Sequence, residues 1–136
     1  MNGHMKPADI EKRSFAIITE ELGGRTFPEG VAEVVKRVIH TSADFDYADN
    51  LCFSPDAVEK AKAALEAGAT IVTDTNMALA GISKGTLAKL GGKAVCLMAD
   101  EDVAREAKER GVTRATVSME HAAKLDGPLI FAIGNA

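Results

Sequence analysis

The chain has 136 residues, 46% hydrophobic and 26% charged, the make-up of a globular protein with a core of its own. Aromatic residues are only 4%, Trp is absent and the net charge is −4, which argues against a stacking platform for single-stranded nucleic acid and against a general phosphate-backbone binder. The longest apolar run, Leu129 to Ile133, is far too short to span a bilayer.

Met1 to Met5 lacks an apolar signal region and reads as an added leader, so a single α/β domain is expected over residues 6–136, in the cytoplasm. Ile10 to Leu22 reads as a helix. Ile10, Ser14, Ile17, Ile18 and Leu22 share a face, and Gly23-Gly24 end it. Ser14 is a hydroxyl on an apolar stripe, bonded back to a carbonyl one turn earlier or aimed into a pocket. Pro28 opens a second helix to about Ile39, with Val31, Val34, Val35, Val38 and Ile39 on one face.

That helix runs into Arg37-Val38-Ile39-His40-Thr41-Ser42-Ala43-Asp44-Phe45-Asp46. A helix C-terminus carries partial negative charge and suits a cationic ring. Asp44 and Asp46 add to that if they fold back. His40 is therefore a candidate acid or cationic anchor. The plainer alternative is a C-capping residue that donates to loose carbonyls. Arg37 lies one turn before His40, on about the same side.

Thr41 to Asn50 reads as a polar loop and Leu51-Cys52-Phe53 as a short strand. Ser54 caps a helix with Pro55 at its first position, ending at Gly68. Ala69 to Asp74 is a buried strand. Asn76 to Ile82 is a short helical or irregular piece, and Ser83 to Leu90 a helix stopped by Gly91-Gly92. Lys93 to Met98 is a second strand. Asp100-Glu101-Asp102 opens a helix to Gly111. Thr113 to Ser118 is ambiguous, a helix follows through Met119 to Ala123, and Leu129 to Ile133 is the last strand. Cys52 and Cys96 show no metal-ligand spacing and read as reduced, buried packing residues.

Apolar runs alternating with helices indicate a mostly parallel sheet with helices on both faces. Ligands in such sheets bind outside the carboxyl ends of the strands, here Asp74-Thr75-Asn76, Ala99-Asp100 and Gly134-Asn135. No glycine-rich phosphate loop, Gly-x-Ser-x-Gly elbow or paired metal spacing occurs. A receiver-like phosphoryl site at Asp74 would want paired acids on a neighbouring strand, and Leu51 to Ser54 supplies none. Arg37 and Arg114 facing a cleft would suit a substrate with several carboxylates. Each is more simply a solvated surface charge.

Five stretches taken in order are specific as a set. They are Arg13-Ser14-Phe15, Arg37 to Asp46, Ile71-Val72-Thr73-Asp74-Thr75-Asn76-Met77, Thr113-Arg114-Ala115, and Ala132-Ile133-Gly134-Asn135-Ala136. From about residue 10 to the last residue the set resembles the precorrin-8X (cobalt-precorrin-8) methylmutases of corrin biosynthesis. The resemblance implies a three-layer flavodoxin-like α/β fold, a homodimer, and an isomerase that needs no cofactor or metal. The reaction implied is a 1,5-sigmatropic shift of a methyl from C-11 to C-12, giving hydrogenobyrinic or cobyrinic acid. It implies that His40 protonates or hydrogen-bonds a ring nitrogen. Ser14, Arg37, Thr41 and Arg114 would contact the corrinoid, with Asp74, Asn76 and Met77 near it. Family members continue past Gly-Asn-Ala into a Pro-Thr-Ala-Leu turn. The chain is accordingly expected to be incomplete at the C-terminus. The alternative is a non-catalytic corrinoid-binding module or half of a split enzyme.

Overall fold

A computed structural model describes residues 4–134. The chain falls into two compact units, one up to Glu59 and one from Lys60. Met1 to Gly3 of the supposed leader, and Asn135 and Ala136 of the last motif, lie outside the described residues.

The first unit is a pair of helices with a wrapped tail. Helix α1 spans Pro7–Glu21, opened by a proline at its first position, where a missing N–H costs nothing. Helix α2 spans Val31–Ser42. Val35 and Ile39 are each only 1% exposed and close a core with Ile18 and Leu22. Burying each of these side chains contributes about 2 kcal/mol. Phe27, Phe45, Leu51 and Phe53 pack against that core.

Several expectations are corrected here. Pro28 does not start α2, because Gly30 is left-handed at φ +80° and the helix begins after it. A Cβ on Gly30 would also sit 3.0 Å from Val58 Cγ1. Thr41 and Ser42 belong to α2, which ends on Ala43 in the left-handed region, φ +58°. Residues 47–50 form a short helix α3, Tyr47–Asn50. Leu51 to Phe53 makes no strand. Its apolar character serves the α1–α2 core, which leaves Cys52 exposed, while Cys96 is half-buried; both are free thiols. Ser54 does not cap the next helix, because Asp56 takes a left-handed turn at φ +57° and α4 spans Ala57–Glu66.

The second unit holds the sheet. Strands β1 (Thr70–Thr73), β2 (Lys93–Val95) and β3 (Leu129–Ala132) are all parallel, in the order β2-β1-β3. Ile71 lies opposite Ala94 on one side and Ile130 on the other. Helices α5 (Asn76–Gly81) and α6 (Lys84–Lys89) connect β1 to β2. Helices α7 (Glu101–Arg110) and α8 (Arg114–Ala122) connect β2 to β3. The first connection steps to one side of β1 and the second returns across it. Right-handed crossovers therefore place the two helix pairs on opposite faces, giving three layers. Val103, Ala107 and Val117 form the α7–α8 core with Leu97 against it.

Strand β2 is shorter than expected, stopping at Val95 rather than Met98. The ambiguous stretch from Thr113 is helical: Thr113 Oγ1 accepts the Thr116 N–H and caps α8. No helix among the described residues is long and apolar enough to cross a membrane.

Candidate active site

His40 is the third-last residue of α2, and the buried Ile39 beside it holds that turn against α1. Its Nδ1 lies 2.7 Å from Ser14 Oγ, a partly buried hydrogen bond across 26 residues. Ser14 thus faces the second helix rather than its own carbonyls, and His40 is bonded to a hydroxyl rather than to loose helix-end carbonyls. With Nδ1 engaged, Nε2 has no hydrogen-bond partner among the described residues. Asp44 does not fold back onto the ring; its Oδ1 accepts the Asp46 N–H at 2.9 Å in a local turn.

The ring is also packed from the side. The Phe15 ring centroid is 5.3 Å from that of His40, with the planes tilted by 33°. The Arg37 guanidinium carbon lies 4.7 Å from the Phe15 centroid, a cation–π contact. Glu11 accepts a hydrogen bond from Arg37 Nη2 and pairs with it. That bond, with the charge of Arg37, holds the Glu11 carboxyl below its usual range. Imidazole, phenyl, guanidinium and carboxylate form one chain of contacts. Sequence reasoning gave Glu11 and Phe15 no role. Glu11, Ser14 and Phe15 sit at i, i+3 and i+4 on α1, a spacing that marks one face of that helix.

Beside His40 opens an apolar cleft of about 340 Å³. Its walls include Ile10, Ile17 and Phe45, and its polar groups include Arg13, Ser14 and His40. Ile10 is 54% exposed and Ile17 46% exposed, so half of the α1 stripe is core and half faces this opening. Two exposed isoleucines thus flank the His40 ring at this opening.

Thr41 borders the same turn, but its Oγ1 donates to the Arg37 carbonyl at 3.0 Å. The remaining sequence candidates lie in the second unit. Asp74 follows β1, is buried, and Oδ1 accepts the Gly134 N–H at 2.8 Å, tying the carboxyl ends of β1 and β3 together. A Cβ on Gly134 would lie 3.2 Å from Ala78 Cβ, so the chain passes close there. Asn76 and Met77 open α5, whose cap is Thr75, and Met77 is 86% exposed. Arg114 opens α8 at an exposed position and makes no hydrogen bond or ion pair among the described residues. The structure thus brings Ser14, His40 and, through Phe15, Arg37 together, and gathers Asp74, Asn76 and Met77 at one strand end. Among the described residues no group of three or more His, Cys, Asp or Glu is arranged to hold a metal ion.

Comparison with known proteins agrees with this arrangement of elements. Residues 9–136 match the family model described as precorrin-8X methylmutase. The cobalt-precorrin-8 methylmutase of Priestia megaterium is 42% identical over 132 residues, covering 97% of this chain and 59% of that protein. That of Salmonella typhimurium is also 42% identical, covering 96% of this chain and 65% of the relative. The crystal structure of precorrin-8X methylmutase from Thermus thermophilus superimposes with a TM-score of 0.80 at 35% identity, covering 93% of this chain and 62% of that one. The chain thus spans between 59% and 65% of the length of these relatives. It belongs to the precorrin-8X methylmutase family.

Proposed function

We propose that this chain carries the histidine-bearing part of a corrin-biosynthesis methylmutase, acting on precorrin-8X or cobalt-precorrin-8. The observation that supports it is the Ser14–His40 pair beside an apolar cleft, in a chain of this family. On this reading the bond from the methyl to C-11 breaks as the bond to C-12 forms within one π-system. No electron enters or leaves and no co-substrate or cofactor is consumed. His40 Nε2 lends a proton, or a strong hydrogen bond, to a ring nitrogen and recovers it afterwards. That makes the π-system electron-poor, an effect worth roughly 10²–10⁴-fold. Through the cycle Nδ1 keeps its proton and donates it to Ser14 Oγ, so the ring need not turn. The cleft holds the macrocycle in one shape, which lowers the entropy cost of reaching the transition state.

Arg37 and Arg114 take peripheral carboxylates, Arg37 by exchanging that of Glu11 for the ligand's. Thr41, Asp74, Asn76 and Met77 shape the surroundings. The working assembly is a homodimer in the cytoplasm.

An absorbance titration of this chain with cobyrinic acid, repeated with His40→Ala, tests the proposal. A spectral shift of the bound macrocycle that the variant loses supports contact between His40 and the chromophore. A shift that the variant keeps would sink the role given to His40.

A further inference from the structure

The cleft beside His40 contains a cation that the mechanism above leaves unused. Ile10, Arg13, Ser14, Ile17 and Glu21 line it from α1, at spacings that keep one side of the helix turned to it. Among the described residues Arg13 makes no hydrogen bond or ion pair. Arg37 is in the opposite condition, paired with Glu11 and lying over Phe15. A ligand carboxylate reaching Arg37 must displace one carboxylate for another, which leaves little net gain. A carboxylate reaching Arg13 gives up only water on the protein side and forms a charge-assisted hydrogen bond.

We infer that Arg13 is the carboxylate anchor of the His40 cleft and sets which edge of the ligand enters first. This rests on the function proposed above. Arg13, Ser14 and His40 line the same opening, so a carboxylate held by the Arg13 guanidinium enters the cleft that holds the serine positioning His40. Glu21 lies eight residues further along α1, about 12 Å at the helical rise. Its carboxylate repels an acidic rim at that end. The cleft is therefore polarised along its length, with an attractive cation beside Ser14, an apolar floor at Ile10 and Ile17, and an anion at the far end. An amphipathic macrocycle with carboxylates on its rim fits it in one sense and not the reverse. Arg13 is a binding and orienting residue; it transfers no proton.

The test is a pair of titrations of the full chain, one with cobyrinic acid and one with its fully esterified, uncharged derivative, on the wild type, Arg13→Gln, Arg13→Lys and Arg37→Gln. Arg13→Gln is expected to weaken the acid about tenfold, the size of one lost charge-assisted hydrogen bond. It is expected to leave the ester unchanged. Arg13→Lys should recover most of the loss, and Arg37→Gln should cost the acid less than Arg13→Gln. Arg13 is exposed, so the variants keep the fold, checked by their circular dichroism. The inference is overturned if Arg13→Gln leaves the acid unaffected or weakens acid and ester alike. Failure of the wild type to bind either compound would overturn the proposed function as well.

Discussion

Ser14→Ala isolates what holds His40 in place. The change removes one oxygen from a half-buried position and leaves the helix intact, since alanine is the best helix former. What is lost is the 2.7 Å bond to Nδ1. A hydrogen bond of this kind contributes about 1 kcal/mol net. That is about fivefold in the population of rings correctly held, since each 1.4 kcal/mol is tenfold. Turnover should fall about fivefold on this account, against the roughly 10²–10⁴-fold expected for removing a general acid. The direct assay is ring-nitrogen NMR of 15N-histidine-labelled protein. The chain has three histidines, and His40→Gln identifies the signal. In the wild type the neutral ring should carry its proton on Nδ1, held there by Ser14, and in Ser14→Ala the proton should move toward Nε2. Unchanged ring-nitrogen shifts would refute the hydrogen bond. A loss of activity as deep as that of His40→Ala would refute the positioning role and give the hydroxyl a part in the chemistry.

Three further outcomes follow from the second unit. Gly92→Ala should destabilise it by about 3 kcal/mol in urea melts, because the new Cβ would lie 2.4 Å from the Ala69 carbonyl oxygen and 2.9 Å from Leu87 Cδ1. Ser118→Ala should stabilise it by about 1 kcal/mol, raising the midpoint by roughly 4–8 °C, because the buried Ser118 hydroxyl has no hydrogen-bond partner among the described residues. Glu106 is held below the usual carboxylate range by the His121 ring and then by Arg110, and Glu120 by Arg110. Carboxylates with lowered native values contribute stability above the ordinary carboxylate range and lose it as pH falls through the lowered values. The difference in melting point between wild type and Arg110→Ala should therefore be present at neutral pH in low salt and shrink as pH falls through the lowered carboxylate values.

Helical periodicity marks the buried faces of α1 and α2, and the alternation of apolar runs with helices marks the parallel sheet. Periodicity could not join Ser14 to His40, which meet only when two helices pack across 26 residues. Nor could it see that Glu11 occupies Arg37, since an exposed acid on a helix carries no mark of its partner. The misread strand at Leu51–Phe53 is a different failure. Three apolar residues in a row satisfy a sheet or a helix pair equally, and here the helix pair takes them. The start of α8 was within reach, because Thr113 and the Thr116 N–H make an ordinary N-cap. The β-branched run Thr116-Val117 obscured it by resembling a strand.

The strand order has a consequence for synthesis on the ribosome. Strand β1 lies in the middle of its sheet, yet β3 is 59 residues later than β1 at the Thr70–Leu129 pairing. Half of the hydrogen-bonding edge of β1, and the Asp74 bond to Gly134, must wait until that last strand has emerged. The helix pair bearing His40 closes its core within the first 59 residues and has no such wait. A nascent chain therefore passes through a stage in which its histidine site is already assembled while the central strand still offers an unpaired edge.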